Sequence, residues 1–235
     1  MSYQVKCIAP HGAKLQRTLN QFDENNTWLY GEVGTVDDAI IAKYQASTDS
    51  FTVLGRSGPL TVADGLPVVA GLTATDNFDG VVHQTTFTLT DVAQAVVNGV
   101  EYQSTQLFNF PLGRINVLGV VATIAQKTTS AILGTLNGAS VGSLGIGTAA
   151  ASATTLATTM VDLLPATAFA SSAVINVAGT PVSAALATGA QFDGTVTAKD
   201  MFINTAYATT TDVDADATQT LTGTITVTWS NLGTV

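Results

Sequence analysis

The stretch Thr220-Leu221-Thr222-Gly223-Thr224-Ile225-Thr226-Val227-Thr228-Trp229 decides how this chain folds. Every second residue is threonine, and four of the five between are apolar. Successive side chains of a β-strand leave on opposite faces. The segment therefore predicts a strand with hydroxyls on one face and Leu221, Ile225, Val227 and Trp229 on the other, half-buried in a sheet with one wet face. Thr86-Phe87-Thr88-Leu89-Thr90 repeats the device. Strands written in β-branched residues make the fold class mainly β.

Outward from these two stretches, short apolar or alternating runs are separated by the turn dipeptides Asp79-Gly80, Asn98-Gly99, Asn137-Gly138 and Asp193-Gly194. The predicted strands are 83–90, 106–110, 114–125, 131–136, 173–178, 195–204 and 220–229. Together they predict an antiparallel β-sandwich over residues 68–235, of jelly-roll type. Two stretches read differently. Asp91-Val92-Ala93-Gln94-Ala95-Val96-Val97 has helical spacing and predicts one or two helical turns. The Ala-rich run within 150–165 predicts a short helix ending at Pro165.

The N-terminal part has another style. Residues 1–56 hold five of the eight basic residues and six of the seventeen acidic ones; residues 57–235 hold only Arg114, Lys127 and Lys199 against eleven acids. That break predicts a small α+β module over 1–56, a linker over 57–67 and the sandwich after it. Within the module, Tyr3–Ile8 and Thr27–Tyr30 read as strands, and Phe51–Leu54 as a returning strand. Thr35-Val36-Asp37-Asp38 matches a capping box, predicting a helix that runs to about Ala46. Gly55-Arg56-Ser57-Gly58-Pro59 and Asp64-Gly65-Leu66-Pro67 read as breaks in regular structure.

Charged residues make up 11% of the chain, against about 25% in an ordinary soluble domain. Thr, Ser, Ala and Gly fill the deficit, which suits a surface covered by neighbours or finished with hydroxyls. The formal net charge of −9 argues against nucleic acid and anionic membranes as partners, because both need clustered Lys and Arg. No apolar run reaches the ~20 residues of a membrane helix. The opening Met-Ser-Tyr-Gln-Val-Lys has no apolar signal core, so synthesis in the cytoplasm without a cleaved signal is expected. Cys7 is the single cysteine and reads as a small buried hydrophobe in a protein made under reducing conditions.

No chemistry stands out. His11 and His83 have no metal-ligand spacing around them, and no Gly-x-Ser-x-Gly elbow occurs. Asp212-Val213-Asp214-Ala215-Asp216 resembles the start of a calcium loop. However, Ala217 replaces the required glycine and Gly223 stands where the glutamate belongs. An irregular cation site near Asp212, Asp214 and Asp216 stays open beside the reading as a solvated acidic loop. Gly134, Gly138, Gly142, Gly145 and Gly147 lack the Gly-Lys-Ser/Thr of a phosphate loop and read as turn glycines. Glu24, Glu32 and Glu101 are the only glutamates, and no carboxylate pair suggests glycoside hydrolysis. The expectation is a non-enzyme, with no catalytic residue, cofactor or metal ligand assigned.

Gly12-Ala13-Lys14-Leu15-Gln16-Arg17-Thr18-Leu19 and Trp28-Leu29-Tyr30-Gly31-Glu32-Val33 resemble the N-terminal module of structural proteins of tailed bacteriophages. The Ala/Thr/Gly-rich domain that follows, with Leu107-Phe108-Asn109-Phe110-Pro111-Leu112-Gly113-Arg114-Ile115, resembles their capsid cement (decoration) proteins. The resemblance implies a virion protein on the outer capsid surface, made in the host cytoplasm. Its implied partners are the major capsid protein, whose neighbouring capsomers it clamps, and itself, as a homotrimer. The concentration of basic residues makes Lys14, Arg17 and Lys43 the candidate capsid contacts. Other readings are a tail-tube or head-fibre subunit, a carbohydrate-binding module and a hydrolase. A carbohydrate-binding module calls for exposed Trp or Tyr platforms, whereas Trp28 and Trp229 sit in predicted strands. A hydrolase needs a positioned base.

Overall fold

The computed structural model describes residues 2–10, 12–15, 27–37, 43–44, 46–47, 50–79, 81–128, 141–170, 182–184, 190–207, 213 and 216–233. The chain divides into two units: Met1–Pro59 with Thr75–Gln84, and Leu60–Ala74 with Thr85–Val235.

In the first unit, β1 (Ser2–Cys7) is central. Two further strands, β2 (Ala13–Lys14) and β3 (Thr27–Trp28), form a short ladder of their own. β1 pairs antiparallel with β4 (Val33–Asp37) on one side and β5 (Phe51–Pro59) on the other. Beyond β5 lies the end of β6 (Leu72–Phe78), with Arg56 opposite Phe78. Val5, Cys7, Trp28, Val36 and Tyr44 form the core of this unit. The Trp28 indole and the Tyr44 hydroxyl both donate to the carbonyl of Leu15, each at 3.1 Å, so the buried polar edges of both rings are satisfied.

Two expectations fail in this unit. Thr35 and Asp37, read as a helix cap, lie in β4 opposite Gln4 and Ser2. The β-branched run around Val36 gains a full ladder with β1, whereas a short helix has to cover its own nucleation cost. Lys43 and Tyr44 are helical, and residues 38–42 fall outside the described ones. Gly55–Pro59, read as a break, continues β5; Gly58 takes a φ of 151° and Pro59 closes the strand.

The second unit holds β7 (His83–Val96, shared with the first unit at its start), β8 (Tyr102–Asn109), β9 (Gly113–Thr128), β10 (Val141–Gly147) and β11 (Leu164–Ala170). It continues with β12 (Val182–Ala184), β13 (Ala190–Gly194), β14 (Asp200–Tyr207) and β15 (Ala217–Asn231). One sheet runs β12-β9-β15-β7 and continues into β6, with β13 pairing further along the same edge of β9; the other runs β11-β10-β14-β8. Numbered from β7 and passing over β13, the orders are 6-3-8-1 and 5-4-7-2. Apart from β10 and β11, which pair with each other in one sheet, consecutive strands alternate between the sheets, as in the two interleaved Greek keys of a jelly roll. The sandwich predicted from the threonine strands is present, and it is a jelly roll.

β15 carries the predicted burial. Leu221, Ile225, Val227 and Trp229 lie in the core, while Thr222 and Thr224 are exposed and Thr226 and Thr228 half-exposed. Phe110 lies edge-on to Trp229 at 5.3 Å and to Phe108 at 5.1 Å. The Trp229 indole donates to Thr85 Oγ1 at 2.9 Å.

The helix expected over 91–97 is strand. Thr85, Phe87 and Leu89 face inward, then Val92, Gln94 and Val96, with Thr90 and Asp91 both outward. Asp91, at φ 51°, is the extra residue of a one-residue bulge. The bulge places inward residues three apart, and that spacing imitates a helix. Of the strand expected over 195–204 only 200–204 is strand, in β14; residues 195–199 form the turn after β13, which ends at Gly194. Asp193 closes the turn between them by accepting from the Thr195 amide and hydroxyl. The helix expected within 150–165 is one 3-10 turn, Thr158–Met160, and Pro165 sits in β11. The strands expected over 131–136 and 173–178 lie outside the described residues.

One part of the sandwich interior is polar. Gln219 Oε1 accepts from the Tyr207 hydroxyl and from Gln126 Nε2, the latter at 2.6 Å. Its Nε2 donates to Gln94 Oε1 at 2.6 Å and Thr205 Oγ1 at 2.7 Å. All five residues are buried.

Candidate functional site

The two outer faces of the jelly roll are finished in opposite ways. On the β11-β10-β14-β8 side, the segment between β10 and β11 lies across the sheet as a strap. Leu156 and Met160 from the strap bury against Ala206, with Tyr102 alongside. Asn204 latches it. Its Nδ2 donates to the carbonyls of Ala149 (2.9 Å) and Met160 (2.7 Å), and its Oδ1 accepts from the Ala151 amide (3.0 Å) and the Ser104 hydroxyl (2.7 Å). An amide satisfied on four sides in a buried position is a strong local constraint. Asp162 holds the start of the strap through the Thr148 amide and hydroxyl. The strap lies so close to β10 that a Cβ at Gly147 would overlap the backbone of Thr159 and Met160. Of the glycines read as turn residues, Gly142, Gly145 and Gly147 are therefore strand residues, and Gly147 serves close approach.

The face on the β7-β15-β9 side is open. Thr88, Thr90, Thr222, Thr224, Thr123, Leu118 and Val121 are exposed there, and Thr86 and Thr226 share a hydroxyl contact at 3.2 Å. Asp91 and Arg114 are the charged groups among the described side chains of these three strands on that face. A broad surface rich in hydroxyls and nearly free of charge can be covered by a neighbour without stripping water from ions, at far lower desolvation cost than a charged surface.

A cleft of about 340 Å³ opens at one end of the same sheet, lined by Arg114, Ile115, Asn116, Gln191, Phe192, Asp193 and Leu232. The ladder sets Arg114 opposite Asp193 and Asn116 opposite Gln191. The Thr195 hydroxyl (2.6 Å) and amide (3.0 Å) both bond Asp193 Oδ1, and these bonds, with the Arg114 charge, hold its carboxyl below the ordinary 3.8.

The candidate capsid contacts are not gathered by any described feature. Lys14 is in β2, opposite Thr27; Lys43 is exposed on the short helical segment; Arg17 lies outside the described residues, as does His11. His83 Nδ1 is 2.8 Å from Asp76 Oδ2, and its ring stacks on Phe78 at 4.1 Å. Asp216 accepts the Asn98 amide at 2.9 Å and so fixes the turn at Asn98-Gly99; Asp212 and Asp214 lie outside the described residues. Among the described residues no three His, Cys, Asp or Glu side chains come together as metal ligands, and no helix is long and apolar enough to cross a membrane. Sequence reading missed Asn204 and the cleft residues Asn116, Gln191, Phe192 and Asp193 as site residues, since each gains its role from strands distant in the chain.

No family model and no curated protein matches the sequence. Among solved structures, infectious bursal disease virus of the Gt strain aligns at 12% identity and a TM-score of 0.32, over 97% of this chain and 51% of that one. The Gx strain aligns at 11% and 0.32, and the VP2 subviral particle of the same virus at 9% and 0.33, covering 60% of that chain. The chain thus spans about half the length of the first chains it matches. At such scores the jelly-roll assignment rests on this chain's own strand order.

Proposed function

We propose that this chain is a non-enzymatic structural protein of a virion, a cement protein of the tailed-phage type that binds the outer capsid surface and bridges its subunits. The observation that carries this reading is the asymmetry of the jelly roll: one outer face is partly covered by the chain's own strap, and the other is open, with few charges among its described side chains. Each copy carries a net charge of −9, so copies repel except where they meet through neutral surface. The threonine face supplies that surface for a homotrimer. The more basic first unit, with Lys14, Arg17 and Lys43, turns to the major capsid protein. A protein that binds the assembled shell and not its separated subunits stabilises the shell by mass action.

The test is to mix purified chain with undecorated capsids and image the particles by electron microscopy. Added density at regular positions, with a higher shell disruption temperature, is expected. Capsids that stay bare, or a shell that cannot assemble without the chain, would overturn the cement role.

A further inference from the structure

We propose that the cleft between β9 and β13 binds a neutral glycan of about two sugar rings. The cleft belongs to the same open sheet as the threonine face, but its chemistry differs. Arg114 contributes donors, Asp193 acceptors, and Asn116 and Gln191 both. Adjacent hydroxyls of a sugar need that mixture, because each hydroxyl donates one hydrogen bond and accepts others. Leu232 adds apolar surface against which the C–H face of a ring can lie. Phe192 stands opposite buried Ile115, in the other phase of the strand from Gln191 and Asp193, and packs edge-on against Phe110 at 5.2 Å, closing the cleft from the core side.

Charge decides the ligand class. Arg114 and Asp193 stand opposite each other, so the site is neutral overall. An anionic ligand meets Asp193 and a cationic one meets Arg114, whereas a neutral polyol satisfies both. Asp193 is also set in advance. Both Thr195 bonds fall on Oδ1, which fixes the carboxylate and points Oδ2 elsewhere. Such preorganisation lowers the ordering cost of binding. The volume of about 340 Å³ lies at the small end of ligand sites, in the range of a disaccharide. The inference goes beyond the capsid role and stands apart from it, since a capsid-bound copy could use this cleft to hold a cell-surface sugar.

The experiment is saturation-transfer NMR on the full chain with maltose, lactose, cellobiose and diacetylchitobiose, each at roughly 10 mM to detect millimolar affinity. Sialyllactose serves as the acidic comparison. Transfer to at least one neutral disaccharide is expected, with affinity falling about tenfold in both Asp193→Ala and Arg114→Ala, each having lost a charge-assisted hydrogen bond. Arg114→Ala should keep the wild-type unfolding midpoint, whereas Asp193→Ala also loses the two Thr195 bonds that close the turn, so its midpoint is measured beside its affinity. If either unfolds early, Gln191→Ala takes its place. No transfer to any neutral disaccharide, transfer confined to sialyllactose, or undiminished transfer in the variants overturns the assignment. Capsid decoration is measured separately, so either proposal can fail without the other.

Discussion

Replacing Gln219 by leucine tests whether the polar part of the sandwich interior is a paired network. Gln219 takes part in four short hydrogen bonds, to Tyr207, Gln126, Gln94 and Thr205. Most partners keep a second contact in Gln219→Leu: Gln126 Nε2 still donates to Tyr207 at 2.7 Å, and Gln94 Oε1 still accepts from Thr205 at 3.0 Å. The Tyr207 hydroxyl loses its bond to Gln219 inside the core. Each of the four lost buried bonds costs about 1 kcal/mol before the leucine's own burial offsets part. The expected loss is therefore about 3 kcal/mol, read as a lower denaturant midpoint at constant slope. At 2–4 °C per kcal/mol for a domain of this size, Tm falls by about 6–12 °C. Tyr207→Phe alone should cost about 1 kcal/mol, because Gln126 and Gln219 remain bonded to each other. Combined with Gln219→Leu, it removes a bond that Gln219→Leu has already broken. The double variant should then be more stable than the sum of the singles by about 1 kcal/mol. Additive singles, or a neutral Gln219→Leu, would refute the network.

Three further outcomes are expected. Burial pushes the Tyr207 phenol above its ordinary 10.0, although the Gln126 bond pulls the other way. The native state then holds this proton longer than the unfolded chain does. Its contribution is complete below about pH 10 and is lost as pH rises towards the native value. Alkaline denaturation should be less steep in Tyr207→Phe, and an unchanged alkaline limb would count against it. Gly147→Ala should push the strap off β10 at a cost of about 2–4 kcal/mol, seen as new proteolytic nicks within 148–163; an intact strap at wild-type stability contradicts the close approach. Cys7 is fully buried with no disulfide partner, so a thiol reagent should label it only after denaturation, and rapid labelling of native protein would be the wrong result.

Much of this fold is legible from parity. In β15 the odd-numbered positions face inward, which reveals the core side of the strand from sequence alone. The same parity places Gln219 in phase with Leu221 and Ile225, and Gln126 in phase with Ala122 and Ile124. The buried network was therefore readable as polar residues in apolar phase, a signal masked by the habit of assigning glutamine to the surface. Asp91 shows the opposite case. One inserted residue keeps the strand but shifts its phase, and the local pattern then matches a helix better than a sheet.

Parity cannot reach the features that divide the two faces. The strap has no period of its own, and what holds it is Asn204, more than forty residues beyond Met160 in the chain. The cleft exists because β13 pairs with the start of β9 while β12 pairs further along, so Arg114 meets Asp193 only once the sheet has closed. Both features depend on the jelly-roll crossing order. Strand composition specifies the sheets, but the order of the strands decides which face its own chain can cover. Here the loop from β10 to β11 joins two strands of the same sheet and covers part of that sheet's outer face. The threonines of the β7-β15-β9 face stay exposed or half-exposed, and threonine is the residue that keeps such a face soluble while it is bare and easy to desolvate where a neighbour covers it.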